Sequence, residues 1–521
     1  MQRFRRRGLR SFAILAVLIA SCSSVVADDP DIIGSDASTT TSSADPTTSN
    51  PNSSTTGSTP GSTPGSTTTT STTETTTTTV EFEGVIGGES IGDPYYPTIG
   101  NTGYDVQEYR LDLTVQISGT DRLDATAEID LMTTEPLERL SFDLVGLNVS
   151  SVEIDGTDAT FEQTSEKLRI TPDEALPTGE VHTIVVEYSG SPSTVDSTTR
   201  IGPIGWFDSP ASSYVVSEPF GARTWYPVND HPSDKATYRI SITSPEGLNG
   251  VSNGSLVDAS IDDGDSVDTW VMNDPMASYL ATVAIGDYAL VVADDGAGVP
   301  VENTFPSERV EISIGDFEQT DEMLEVFSEL FGPYPFEEYG VMVIEDSFGF
   351  ALETQGRSIF SQAIVDGDGS IERIVAHELA HQWFGNHVSP ATWRDIWLNE
   401  GFATYAEDLW LEFGRGVPVN DLENRLVQRA LVSPTPAPGD PGSDSLFNPS
   451  VYQRGGLTLH ALRLQVGDAE FFDILQQWVI RFGGGSASTA DFIALSEELS
   501  GEDLDLFFDN WLGAGQVPPV R

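Results

Sequence analysis

The motif that most constrains the fold of this chain is His377-Glu378-Leu379-Ala380-His381, which is followed by Glu400. Residues four apart on a helix lie on the same face, so both imidazoles can bind one metal ion. Glu378 lies between them and can act as a base toward a metal-bound water molecule. Glu400, within Asn399-Glu400-Gly401-Phe402-Ala403, can supply a third ligand from a second helix packed against the first. A chance match on a buried amphipathic helix is the alternative reading of the short motif.

Charge and cysteine content exclude several classes of protein. The formal net charge is -56, from 81 acidic and 25 basic residues. Such a surface repels nucleic acid and anionic membranes, so nucleic-acid binding is excluded. Cys22 is the only cysteine, which leaves no internal disulfide and makes histidine and carboxylate groups the expected metal ligands.

The first 22 residues have the features of an export signal. An arginine-rich start precedes the mostly apolar stretch Ser11 to Ala20, which is short for a membrane span. Ile19-Ala20-Ser21-Cys22 resembles a bacterial lipobox, which predicts that Cys22 is lipidated and becomes the first residue of the mature protein. Cleavage after Ala27 by an ordinary signal peptidase is the alternative.

Residues 23–95 are predicted to form a disordered stalk. Between about residues 35 and 79 nearly every residue is Thr, Ser, Pro or Gly, a composition that cannot form a core. A lipid at Cys22 and this stalk would tether the folded part outside the cytoplasm, at the cell surface or membrane. Without the lipid the protein would be secreted. Contact with a membrane is therefore expected only through the anchor or the signal segment.

The remaining chain is predicted to be multi-domain, with a β domain at 96–298 and an α+β domain at 299–521. Alternating runs such as Tyr109 to Val115, separated by Asn, Asp and Gly turns, indicate an antiparallel sandwich or saddle-shaped sheet. From about Val301 the pattern changes to a few strands, including Val310 to Ile314, and then to helices. The predicted helices are Phe317 to Leu330, Ser370 to Phe384, Leu398 to Phe413, Gly455 to Val466, Ala469 to Phe482, Thr489 to Ser500 and Leu504 to Leu512.

From about Tyr104 to its end, the chain resembles the aminopeptidase N family of zinc peptidases, which are gluzincins. The resemblance implies a thermolysin-like catalytic domain with one zinc ion, bound by His377, His381 and Glu400, and a fourth position for water. Eighteen residues separate His381 from Glu400, the spacing this family shows. Glu378 would take the proton of the water and pass it to the leaving amine. Because the chain ends soon after Phe507 to Trp511, the resemblance also implies a short form without the family's C-terminal helical-repeat domain.

Three more residues gain roles from this resemblance. Ser450-Val451-Tyr452-Gln453-Arg454-Gly455-Gly456 is similar to the segment with a catalytic tyrosine, so Tyr452 would donate to the oxyanion. Glu353, in a block similar to Gly-Ala-Met-Glu-Asn, would bind the substrate α-amine, although Leu352 and Thr354 replace the family's Met and Asn. Glu218, before Pro219, would be a second amine ligand from the β domain. Packing is the alternative for Tyr452, and a surface loop charge is the alternative for Glu218.

Other candidates near the motif are less specific. Glu407, seven residues past Glu400, can hydrogen-bond a ligand histidine or lie in solvent. His387 is not assigned as a ligand, because a fourth protein ligand would close the water position. His460, beside Leu459 and Leu462, is expected to be a core residue.

These residues predict a zinc-dependent metallo-aminopeptidase that acts on extracytoplasmic peptides with a free N-terminus. A zinc endopeptidase is the first alternative, and Glu353 and Glu218 oppose it. A non-enzymatic surface binding protein on a peptidase fold is the second alternative. The preferred N-terminal residue and the oligomeric state do not follow from the sequence.

Overall fold

The computed structural model describes Ala16–Val17 and residues 84–520, except 120–121, 200, 210, 294 and 347–349. Cys22, most of the predicted signal segment and the predicted stalk up to residue 83 lie outside the described residues. Ala16–Val17 is a two-residue strand paired with Leu290 and Val291. Over the described part of the chain, no helix combines the length and the apolar character that crossing a membrane requires.

Over the residues that the structure describes, the β domain consists of three sheets. The eight-stranded sheet runs in the order Ser255–Asp262, Asp265–Ala277, Lys235–Ser244, Tyr104–Val115, Leu123–Thr133, Val181–Gly190, Asn148–Ile154, Thr157–Asp158. The five-stranded sheet runs Thr194–Asp196, Pro203–Asp208, Ser213–Val216, Val283–Gly286, Asn249–Ser252. The four-stranded sheet runs Val85–Ile86, Leu137–Asp143, Lys167–Thr171, Thr160–Gln163. Pairing is antiparallel except between Tyr104–Val115 and Lys235–Ser244 and between Val85–Ile86 and Leu137–Asp143.

Alternating burial explains why these segments form strands. In Tyr104–Val115, Leu111, Leu113 and Val115 are buried, whereas Asp112 and Thr114 are exposed. Because successive side chains of a strand point to opposite faces, one face enters the core and the other meets solvent. The predicted β domain is therefore present, with one parallel pair inside its largest sheet.

The predicted end of the stalk at residue 95 is wrong, because the fold begins earlier. Val85–Ile86 pairs with Leu137–Asp143, and the Asp93 side chain is buried. Asp93 accepts hydrogen bonds from the backbone N–H groups of Tyr95, Tyr96 and Trp393. Two of these donors belong to the same segment, and the third, Trp393, belongs to the catalytic domain. Asp93 therefore anchors the segment to the catalytic domain, and the pairing of Val85–Ile86 anchors it to the β domain. The polar composition of the segment concealed these contacts.

The catalytic domain begins with a sheet in the order Tyr288–Val292, Glu302–Pro306, Gly340–Ile344, Arg357–Ser361, Ala351–Leu352. Tyr288–Val292 thus pairs within this sheet, although the predicted boundary at 298 assigned it to the β domain. The helices are α1 (Val310–Ser313), α2 (Thr320–Phe331), α3 (Glu372–Ala380), α4 (Trp397–Leu409), α5 (Val419–Val432), α6 (Pro449–Val466), α7 (Asp468–Phe482), α8 (Thr489–Ser500) and α9 (Asp505–Leu512). A π-helical turn, Trp410–Gly414, follows α4, and Val388–Pro390 pairs with Gly485–Ala487.

The predicted strand at Val310 to Ile314 is wrong. The segment forms α1 and the start of a 3-10 turn, and Ile312 is exposed. A short alternating run does not distinguish a strand from a helix when no sheet face covers it. The position beside Gly340–Ile344 is already filled by Glu302–Pro306. The sequence reading also missed α5.

Candidate active site

The two predicted ligand histidines and Glu400 meet where α3 packs against α4. His377 is in the last turn of α3, and His381 is the residue that caps its C-terminal end. Glu400 lies in the first turn of α4, with its Oε2 atom 3.3 Å from His377 Nε2 and 3.6 Å from His381 Nε2. All three side chains are buried, and one ligand atom of each lies within 4.8 Å of the other two. The structure therefore brings the three predicted ligands together.

The other nitrogen of each imidazole is held by a neighbouring acceptor. His377 Nδ1 lies 3.1 Å from Glu407 Oε1, and His381 Nδ1 lies 3.1 Å from the carbonyl oxygen of Phe384. Glu407 also accepts hydrogen bonds from Arg373, which fixes the carboxylate. These acceptors favour the tautomer in which Nδ1 carries the proton and Nε2 is free to bind a metal. Glu407 is therefore a partner of a ligand histidine and not a solvated surface residue.

The electrostatics of the three ligands suit a cation. Burial alone would raise the pKa of Glu400, but hydrogen bonds with His377 and His381 lower it to about 2. Burial would lower the pKa of His377, whereas its contacts with Glu400 and Glu407 raise it well above the usual value. The site thus stabilises positive charge between two nitrogens and a carboxylate. That donor set fits one zinc ion, because catalytic zinc sites use three protein ligands of this kind and leave one position open.

Glu378 lies on α3 between the two histidines, and it is buried. Burial raises the pKa of its carboxyl to about 8, against the lowering effect of both imidazoles. Glu378, Glu353 and His381 form a second group, in which one ligand atom of each residue lies within 4.8 Å of the other two. The pair of imidazoles makes His377, His381 and Glu400 the better metal set, and Glu378 remains available for proton transfer.

Tyr452 reaches the site from the first turn of α6. Its ring stacks on that of His377, with centroids 5.9 Å apart and an interplanar angle of 19°. Burial, followed by the charge of Glu400, raises its pKa well above the usual value, so the hydroxyl keeps its proton and can donate. Helix α6 comes this close because Gly401 faces Gly455: a Cβ at Gly401 would lie 3.0 Å from the Gly455 Cα atom.

Glu353 and Glu218 form a second acidic pair next to the metal ligands. Glu353 follows the strand Ala351–Leu352, and Glu218 precedes the cis peptide bond to Pro219 in the β domain. One oxygen atom of each lies within 4.8 Å of the other and of Glu400. Burial and then the charge of Glu353 raise the pKa of Glu218, and burial raises that of Glu353. The Oε1 atom of each carboxylate is buried and has no hydrogen-bond partner among the residues that the structure describes. The structure thus places Glu218 inside the site and not in a surface loop.

The remaining histidines near the motif lie elsewhere. The His387 ring packs against Phe336, with centroids 5.9 Å apart, and faces Gly483. Within the described ranges it belongs to no group of close metal-ligand atoms. His460 is buried and hydrogen-bonds to the Tyr405 hydroxyl at 3.2 Å. His460 is therefore a core residue, as the sequence predicted.

Comparison with known proteins assigns the chain to a family. Residues 105–280 match the Peptidase M1 N-terminal domain, and residues 316–511 match the Peptidase family M1 domain. A solved M1 zinc metallopeptidase from Deinococcus radiodurans is 34% identical, with a TM-score of 0.78, and the match covers 83% of this chain and 99% of that one. The chain belongs to peptidase family M1.

Family M1 membership confirms the resemblance and the predicted order of a β domain followed by a catalytic domain. It agrees with the predicted class, a metallo-aminopeptidase with one zinc ion. Aminopeptidase N of Streptomyces lividans is 27% identical, over 80% of this chain and 51% of its own length. Probable aminopeptidase 2 of Sulfurisphaera tokodaii is 26% identical, over 73% of this chain and 50% of its own. The chain thus spans about half the length of these M1 relatives.

The sequence reading missed several polar residues that support the M1 site. Tyr279, Lys235, Asn386 and Asn399 hydrogen-bond around the ends of α3 and α4. Only Asn399 had a sequence signal, because it directly precedes Glu400. Tyr279 and Lys235 act across the domain boundary, and Asn386 contacts the distant Glu353 within the catalytic domain; no fixed spacing marks such contacts.

Proposed function

We propose that this chain is a zinc-dependent aminopeptidase that hydrolyses the first peptide bond of peptides with a free N-terminus. The observation that carries the proposal is the buried pair Glu218 and Glu353 beside Glu400, each with an oxygen atom that has no hydrogen-bond partner in the described part of the chain. Burying carboxylates without partners is costly, and a substrate ammonium would satisfy both. The aminopeptidases among its M1 relatives support the same conclusion.

Each group of residues in the site would have a separate role in the reaction. His377, His381 and Glu400 would hold zinc, which when bound lowers the pKa of a water molecule and polarises the scissile carbonyl. Glu378 would accept the proton of the attacking water and transfer it to the leaving amine. The Tyr452 hydroxyl would donate a hydrogen bond to the oxygen that gains negative charge. Glu218 and Glu353 would fix the α-ammonium, so that the first peptide bond lies at the metal.

The location of the substrate is part of the proposal. The lipobox-like Ile19-Ala20-Ser21-Cys22 and the Thr/Ser-rich segment after it support an extracytoplasmic enzyme tethered through Cys22. Its substrates would then be peptides outside the cytoplasm.

We expect Cys22→Ser to release the protein from the membrane fraction, because the thiol that would carry the lipid is lost. Fractionation of a bacterial host and labelling with a fatty-acid analogue measure this. Ser23→Ala is the control and should stay with the membrane and keep the label. Equal membrane association and no label in the wild-type protein and Cys22→Ser would contradict the anchor and leave the proposed catalysis unaffected.

A blocked N-terminus separates the aminopeptidase from an endopeptidase. We expect an N-acetylated peptide to be cleaved at least about 100-fold more slowly than the same peptide with a free amine, because a buried charge contact is lost. The measurement is kcat/KM for the pair, with and without a chelator. Equal rates would instead support the endopeptidase. No chelator-sensitive cleavage of either peptide would support a binding protein, although the complete set of catalytic residues opposes that alternative.

A further inference from the structure

One short loop touches both a metal ligand and a substrate ligand. We call residues Phe384 to His387, which follow the His381 end of α3, the ligand loop. The carbonyl oxygen of Phe384 lies 3.1 Å from His381 Nδ1. The Asn386 side-chain amide donates to the carbonyl oxygen of Glu353 at 2.6 Å. A shift of this loop would therefore move the His381 ring and the Glu353 backbone together.

The β domain holds the ligand loop through a tyrosine hydroxyl. Tyr279 is fully buried, and its hydroxyl donates to the carbonyl oxygen of Gly385 at 3.2 Å. The same hydroxyl accepts a hydrogen bond from the Asn399 amide at 3.2 Å, next to the ligand Glu400. One oxygen atom of the β domain thus joins the loop after α3 to the first turn of α4.

A lysine of the β domain holds the other half of the loop. Lys235 Nζ donates to the carbonyl oxygen of Asn386 at 2.7 Å and to that of His387 at 3.1 Å. It is half-buried, and a third bond, to the carbonyl oxygen of Gly485 at 3.5 Å, joins the loop to the strand Gly485–Ala487. Lys235 and Lys167 are the only lysines of this chain.

Tight packing leaves the loop little freedom. Gly385 has a φ of +123°, and a Cβ at this position would lie 3.1 Å from Asn399 Nδ2 and 3.3 Å from His381 Nδ1. Close-packed groups transmit displacements instead of absorbing them. A change at the Tyr279 or Lys235 contact should therefore reach the residues that bind metal and substrate.

We propose that Tyr279 and Lys235 are positioning residues, through which the β domain sets the positions of the metal ligands and of Glu353, the amine ligand that the catalytic domain supplies. Tyr279 acts mainly on His381 and Glu400, because it joins the two elements that carry them. Lys235 acts mainly on Glu353, because it holds Asn386. This inference rests on the proposed zinc aminopeptidase site and adds the β-domain residues that complete it.

The first test is zinc affinity of the full chain with Tyr279→Phe, measured by competition with a chromogenic chelator. We expect about 10-fold weaker binding than in the wild-type protein, because groups that orient metal ligands typically change affinity by that order. Tyr188→Phe is the matched control: its buried hydroxyl also donates to one backbone carbonyl, that of Trp225, at 3.1 Å. The control should bind zinc within about two-fold of wild type, since it lies in the β-domain core. An unchanged affinity in Tyr279→Phe overturns the role of Tyr279.

The second test is the kinetics of Lys235→Met and Lys235→Arg, and it applies even where Tyr279→Phe does not fold. We expect Lys235→Met to raise KM for a free-amine substrate about 10-fold, with zinc affinity nearly unchanged, because a small displacement of a binding group is costly. Lys235→Arg keeps the hydrogen-bond donors, so its KM should stay close to the wild-type value. A fall in kcat alone, or an unchanged KM, overturns the role of Lys235. A wild-type protein that binds no zinc would instead contradict the proposed function itself.

Discussion

Replacing Glu378 by glutamine is expected to lower kcat by about 10³-fold, because a positioned general base contributes on that order. This corresponds to about 4 kcal/mol of activation free energy. Glutamine has nearly the same shape and stays buried on α3, but it cannot accept the proton of the attacking water. Because His377, His381 and Glu400 are the proposed metal ligands, the variant should still bind one zinc ion per chain. Turnover of an aminoacyl amide and the zinc content of the purified protein are the two measurements.

The control for this experiment is Glu372→Gln, the same chemical change on the same helix. Glu372 accepts a hydrogen bond from Trp410 Nε1 at 2.7 Å and pairs with Arg415, outside the group of metal ligands. It should keep kcat within about two-fold, because surface changes remote from the reacting groups have small effects. Full activity in Glu378→Gln would refute its role as the base. Loss of zinc from that variant would show that Glu378 belongs to the metal set.

The part of the site that could be predicted from the sequence is the part encoded by local spacing. His377 and His381 share a helical face four residues apart, and Glu400 follows at a distance that a second helix can supply. The role of Tyr452 was predicted from the family resemblance and from the glycines that follow it. In the structure, Gly455 allows α6 to pack closely against Gly401 of α4.

Contacts between segments that are distant in the chain could not be predicted from the sequence. Tyr279 and Lys235 meet the ligand loop only after two domains have folded, so neither periodicity nor spacing identifies them. The same limit explains the misplaced stalk boundary, since Asp93 is buried against Trp393, far along the chain. The strand predicted at Val310 to Ile314 is wrong for another reason. Alternation of apolar and polar residues indicates a strand only where a sheet face is available to bury the apolar side chains.

The proposed amine ligands Glu353 and Glu218 allow a prediction in which the substrate serves as the control. Glu353→Gln is expected to lower kcat/KM for a free-amine peptide about 10²-fold, because one partner of a buried charge contact is lost. The variant should cleave the N-acetylated peptide at nearly the wild-type rate, because that substrate has no ammonium for Glu353 to bind. The preference for a free amine should therefore shrink in the variant. The four kcat/KM values form a double-mutant cycle between the carboxylate and the substrate amine.

Glu218→Gln tests the second proposed amine ligand, which the β domain supplies, and should also lower kcat/KM for a free-amine peptide. Its carboxylate and that of Glu353 lie within 4.8 Å of each other and would share one ammonium, so the two substitutions should be non-additive. The double variant should lose less than the product of the two single losses, since the second carboxylate has less left to stabilise once the first is gone. If either single variant keeps the full preference for a free amine, that glutamate does not bind it. If both keep the preference, the ammonium binds elsewhere and the buried pair needs another explanation.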